Sequence, residues 1–228
     1  MEMLDPNDLV GVTFWIISAA MVAATYFFTV ERDRAEGKWK TSLTVAAMVT
    51  GIAAIHYFYM RGVWIETNES PLVFRYVDWL LTVPLQIVEF YLILAAIAVV
   101  RAALFWKLMI ASLVMLIFGF LGEAGMMNYM VAFIIGMAGW IYIIYEIFAG
   151  EASKINASQG TEASKTAFNA LRIIVTFGWA IYPIGYLAEP MAGAGALNVI
   201  YNLADFVNKI AFGVVIWVAA TSSSKSTA

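Results

Sequence analysis

Seven apolar stretches, each long enough to cross a lipid bilayer, constrain this chain more than any other feature. They run over roughly 9–30, 42–61, 72–97, 104–122, 129–149, 167–187 and 197–220. A helix needs about 20 predominantly apolar residues to span the hydrocarbon core. Composition points the same way: 63% of the 228 residues are hydrophobic and only 13% are charged, against about 25% charged in soluble domains. A soluble core of this size could not hide so much apolar surface, so lipid must solvate much of it. The expected fold is all-α, a seven-transmembrane-helix bundle forming a single membrane domain over 1–228.

Lysine and arginine set the expected orientation. Arg32, Arg34, Lys38 and Lys40 crowd the first loop, Arg101 and Lys107 flank the third, and Lys154, Lys165 and Arg172 flank the fifth. Lys225 lies in the tail, and only Arg61 stands in a loop on the other side. The positive-inside rule then puts the N-terminus outside and the C-terminus in the cytoplasm, which requires an odd number of spans. The N-terminal MEMLDPNDLV lacks the charged, apolar, then small pattern of a signal peptide. Between the fifth and sixth spans, EASKINASQGTEASK reads as a solvated cytoplasmic linker. Glu123 and Glu146 fall near span ends, where interfacial solvation accounts for them.

Several function classes drop out. No cysteine means no thiolate chemistry and no Cys-ligated metal. A single histidine, His56, makes no His-rich metal site, and no metal is expected. There is no basic patch for nucleic acid. No nucleophile–base pair or phosphate loop suggests an enzyme acting on a soluble substrate.

What remains unexplained is charge inside the spans, where each ionisable residue costs about 2.5–3.5 kcal/mol on insertion scales. In the third span, at 100° per residue and with Asp78 as zero, Glu89 lies at about 20°, Thr82 at about 40°, Arg75 at about 60° and Gln86 at about 80°. One narrow face therefore carries all five. From Asp78 to Glu89 the rise is roughly 16 Å, about half the hydrocarbon thickness. A stripe of that length has the shape of a transport path; a polar seam between helices is the plainer alternative. Pro84 interrupts the helix's hydrogen bonding inside the stripe, as membrane helices tolerate near functional cavities. In the seventh span Lys209 sits too deep to snorkel easily, with Asp205 one turn earlier on the same side. The pair is either a structural ion pair or an amine poised to form a Schiff base with a carbonyl cofactor, its charge balanced by Asp205 and Asp78.

At these residues the chain resembles a microbial rhodopsin, and among those the proteorhodopsins. The resemblance runs over essentially all seven spans and is carried by RYVDWLLTVPLQIVEFYLI (75–93), WAIYP (179–183) and YNLADFVNKIAFG (201–213). It implies all-trans retinal bound to Lys209 as a protonated Schiff base. It implies Asp78 as counterion and proton acceptor, Asp205 as second counterion, Arg75 as their electrostatic partner and Glu89 as proton donor. Thr82 completes the Asp-Thr-Glu set of family proton pumps. His56 resembles the family histidine that hydrogen-bonds the counterion; read alone, it would be a satisfied core residue. Trp15 matches the position that meets this histidine from an adjacent protomer, which implies ring homo-oligomers of five or six subunits.

The same resemblance places Trp79, Trp179, Tyr182, Pro183 and Tyr201 around the retinal, with Trp140, Phe133 and Met115 near its ring. Gln86 matches the position that separates blue-absorbing from green-absorbing members, and glutamine resembles the blue type. The implied function is a light-driven outward proton pump in the bacterial inner membrane. The alternative is a slow photosensor that signals through a partner, against which the acidic donor Glu89 argues. Chloride and sodium pumps alter the Asp-Thr-Glu positions kept here. A hormone-type receptor lacks its Asp-Arg-Tyr ending to the third helix.

Overall fold

The computed structural model describes residues 5–189 and 191–225. Among them, seven helical spans are long and apolar enough to cross a membrane. The first four are single helices: α1 (Leu9–Glu31), α2 (Trp39–Thr67), α3 (Leu72–Ile97) and α4 (Ala102–Glu123). The fifth combines α5 (Tyr129–Phe148) with α6 (Glu151–Gln159). The sixth combines α7 (Glu162–Ile173), a π turn (Ile174–Gly178) and α8 (Ile181–Ala188). The seventh is α9 (Ala194–Lys225). Lys225 thus belongs to a helix rather than a tail, though its side chain lies outside the described residues, as do the first four residues of the N-terminal segment.

Local chemistry sets several boundaries. Asp8 caps α1 by accepting from Gly11 N at 3.0 Å, and the same carboxylate accepts from Trp64 Nε1 at 3.0 Å. One side chain therefore starts the first helix and pins the end of the second to it. Asn68 closes α2 at φ +54, a left-handed position that asparagine tolerates. Asn128 caps α5 by accepting from Val131 N.

Two sequence expectations need correcting. The segment 151–165 is not a solvated linker: α6 and the start of α7 take up most of it, and Ala152, Asn156 and Ser164 are buried. Glu146 is not at a solvated interface either. It is buried, and its Oε1 accepts from the backbone N–H of Glu151 at 2.9 Å. A carboxylate at the start of α6 satisfies amides that would otherwise be orphaned there, so the helix resumes after Gly150.

Lipid cannot drive helices together by the hydrophobic effect, so close packing and polar contacts must hold the bundle. Thr25 donates to Thr50 Oγ1 at 2.9 Å between α1 and α2. The α4–α5 seam relies on glycine: a Cβ at Gly139 would stand 2.6 Å from the Ala111 carbonyl oxygen. Gly139→Val is therefore expected to cost about 1–3 kcal/mol through overpacking, seen as a lower thermal midpoint in detergent. An unchanged midpoint would mean the seam can part freely.

Candidate functional site

The polar face of α3 is turned wholly inward. Arg75, Asp78, Thr82, Gln86 and Glu89 are all buried, whereas Val73, Val77 and Leu81 are exposed. Across from it, α9 presents Asn198, Asn202, Asp205 and Lys209 at spacings of four, three and four, which share one helix face, and all four are buried. The two faces meet at Lys209, whose Nζ lies 2.5 Å from Asp78 Oδ2 and 2.7 Å from Asp205 Oδ2.

The two carboxylates are not equivalent. Asp205 also accepts from the Tyr57 hydroxyl at 2.8 Å, the Tyr182 hydroxyl at 2.5 Å and the Trp79 indole at 3.2 Å. Its lone pairs are engaged on every side. Asp78, by contrast, meets the amine through Oδ2, and its Oδ1 has no hydrogen-bond partner among the described residues. Thr82 Oγ1 donates to the Asp78 backbone carbonyl at 2.9 Å rather than to its carboxylate.

Arg75 and His56 stand near the carboxylates without hydrogen-bonding to them. No ion pair joins Arg75 to either carboxylate among the described residues. Its Nη2 instead donates to Asn198 Oδ1 at 2.8 Å and Asn202 Oδ1 at 3.0 Å, and its Nη1 reaches the Tyr57 hydroxyl at 3.4 Å. Its link to Asp205 therefore runs through Tyr57. His56 Nδ1 stands 3.7 Å from Asp78 Oδ1, beyond hydrogen-bond reach, and lies closer to the Ile52 carbonyl at 3.1 Å. Sequence reasoning missed the two asparagines, although their helical spacing with Asp205 and Lys209 is a signal that marks them.

Glu89 stands apart from this cluster. It is buried, and its carboxylate neighbours the buried Ser42 of α2.

On the other side of Lys209 a cavity runs toward α4 and α5. Trp79, Gln86, Met115, Phe133, Trp140, Trp179, Tyr182, Pro183 and Tyr201 all line it, together with Asp205 and Lys209. Tyr76, Tyr186 and Glu123 belong to this lining without having been expected there; Glu123 faces the cavity rather than interfacial water alone. A mostly apolar chamber with one amine in its wall suits an apolar carbonyl compound. The amine could then serve as the attachment point, and the paired carboxylates would compensate the resulting cation.

Comparisons with known proteins fit this geometry. A family model described as "Bacteriorhodopsin-like protein" matches residues 8–223. The chain is 58% identical to a blue-light absorbing proteorhodopsin of Gamma-proteobacterium Hot 75m4, covering 98% of this chain and 90% of that one. It is 57% identical to a green-light absorbing proteorhodopsin of Gamma-proteobacterium EBAC31A08, covering 98% and 91%. The crystal structure of the blue light-absorbing proteorhodopsin from Med12 superposes with a TM-score of 0.82 at 57% identity, covering 95% of this chain and 100% of that one.

Proposed function

The chain belongs to the bacteriorhodopsin-like family, and from that premise we propose that it is a light-driven outward proton pump carrying all-trans retinal on Lys209. The observation that carries the proposal is the division of carboxylates about Lys209 Nζ. Asp78 and Asp205 touch it on one side; Glu89 lies apart from them, about 16 Å further along α3. A carrier that takes protons from one side and gives them to the other needs that asymmetry.

Retinal held at Lys209 would supply the light absorption and the isomerisation. Asp78 accepts the Nζ proton at Oδ2, the oxygen already in contact with it. Asp205, held by Tyr57, Tyr182 and Trp79, remains as the fixed anion. Arg75 keeps a cation beside the two carboxylates, and His56 stands by Asp78. Glu89 returns a proton to Nζ from the opposite side. With the basic loops inside, α3 and α9 both run inward, so Asp78 faces the exterior, Glu89 the cytoplasm, and net movement is outward across the bacterial inner membrane. Gln86 in the cavity wall supports the blue-absorbing type. Trp15 is 46% exposed beside Phe58 and Arg61, which supports a ring of five or six protomers meeting there, near His56.

The test is the pH of a lightly buffered suspension of retinal-supplied cells under blue-green light. Outward acidification abolished by a protonophore is the expected result. Silence in cells shown to hold coloured protein would favour a photosensor. Separately, Glu89→Gln should slow the return of the flash-bleached visible band by about a hundredfold, the lower end of what a positioned acid contributes. The dark colour should barely change, because residue 89 lies far from Nζ. Unaltered recovery would remove Glu89 from the donor role.

A further inference from the structure

Between Glu89 and Lys209 a single buried amide ties three spans together. Asn208 Nδ2 donates to the Gly178 carbonyl at 3.0 Å and to the Tyr182 hydroxyl at 3.3 Å. Its backbone carbonyl accepts from Gln86 Nε2 at 3.3 Å. One residue of α9 thus holds the sixth span through its side chain and α3 through its backbone.

The Gly178 carbonyl is available because the sixth span is irregular here. Trp179 N reaches back to Ile174 O in the π turn, and Tyr182 N donates to Trp179 O rather than to Gly178 O, its helical partner four residues back. Pro183 has no N–H with which to continue the ladder. The freed carbonyl needs a donor in a water-poor interior, and Asn208 is that donor. Gly178 fits the contact for steric reasons too, since an added Cβ would run into Asn208 Oδ1.

The position of this node matters as much as its bonds. Gln86 lies about 12 Å along α3 from Asp78, which is level with Lys209 Nζ, and about 4.5 Å short of Glu89. Any proton passing from Glu89 to Nζ must therefore go by it. We propose that Asn208 is a positioning residue for proton uptake, latching the π turn of the sixth span to α9 and keeping the Glu89–Lys209 route closed until its hydrogen bonds to Gly178 and Tyr182 break. The proposal rests on the donor reading of Glu89. Helix irregularities of this kind are natural hinges, and here the hinge is fastened from the neighbouring helix.

If the latch must open before the proton moves, weakening it speeds the transfer. Two neutral hydrogen bonds of ordinary strength correspond to about a tenfold change. In flash photolysis of the retinal-loaded protein, Asn208→Ala should accelerate recovery of the visible band about tenfold. Asn208→Ser, which keeps one donor, should fall between it and the parent. Gly178→Ala, which displaces the same amide from the sixth span, should also accelerate recovery, so the outcome does not hang on one variant's folding. A retained dark band shows that the pocket has survived. In a Glu89→Gln background the acceleration should disappear.

Rates within twofold of the parent in both Asn208→Ala and Gly178→Ala, or slower ones, would overturn the latch. Acceleration that persists without Glu89 would overturn its placement on this route. Should Glu89→Gln alone leave recovery unchanged, the donor reading fails by itself, and acceleration in the two latch variants still decides whether Asn208 holds the hinge.

Discussion

Lys209→Ala should leave a protein that develops no visible band when retinal is added, where the parent turns coloured. Nζ is the buried amine on the cavity wall that stands between two carboxylates, so no other lysine can replace it as both attachment point and charge partner. The loss should be complete. The same variant should also be less stable, because Asp78 and Asp205 lose their shared cation. Removing one partner of a buried ion pair costs about 3–5 kcal/mol. Adding Asp78→Asn to Lys209→Ala should recover part of that loss, since one stranded carboxylate is then gone. Absorption spectra with and without retinal, and thermal midpoints of the two apoproteins, check both halves. A retinal-dependent visible band in Lys209→Ala would contradict the attachment site.

Asp78→Asn on its own should spare the pigment and stop the pump. Asparagine keeps the shape but cannot take up a proton as the carboxylate against Nζ can. Acidification by illuminated cells should fall at least about a hundredfold, the scale set by losing a positioned base. The colour should move to longer wavelength. An anion at 2.5 Å from Nζ stabilises charge localised on the nitrogen in the dark more than charge displaced along the chain after excitation, so removing it narrows the gap. Wild-type acidification from Asp78→Asn would transfer the acceptor role to Asp205, whose lone pairs are already engaged by Tyr57, Tyr182 and Trp79.

Periodicity alone says which side chains of α3 face inward, because angular spacing is fixed by the helix itself. Arg75, Asp78, Thr82, Gln86 and Glu89 fall on one face by that spacing, and this is the face the bundle buries. Periodicity does not say what they touch. The asparagines that hold Arg75 come from α9, and Asn198 and Asn202 look like ordinary polar residues until the two helices are brought together. The π turn is likewise silent in IVTFG, since Pro183 and Asn208, which mark the irregularity, lie outside those five residues. The helicity of 151–159 is hard to read because hydropathy finds membrane spans, not polar helices, and because the cap on α6 is a side chain from the helix before it. His56 shows the limit of resemblance: it marks the neighbourhood of Asp78 correctly, while the ring nitrogen points closer to the Ile52 carbonyl.

Arg75, Asp78, Asp205 and Lys209 lie buried together, two cations with two anions. Taken as one body this quartet is electrically neutral, a dipole pattern without a monopole. Shifting a proton from Lys209 to Asp78 rearranges the pattern and leaves the total at zero, so the hand-off never strands net charge in a low-dielectric interior. In the proposed pump, export of that proton is different, because it would leave the enclosure one unit negative until a proton returned from Glu89. The step that would define the direction of flow in such a pump is the one that breaks the neutrality of this core, and the deficit it leaves would draw the next proton in.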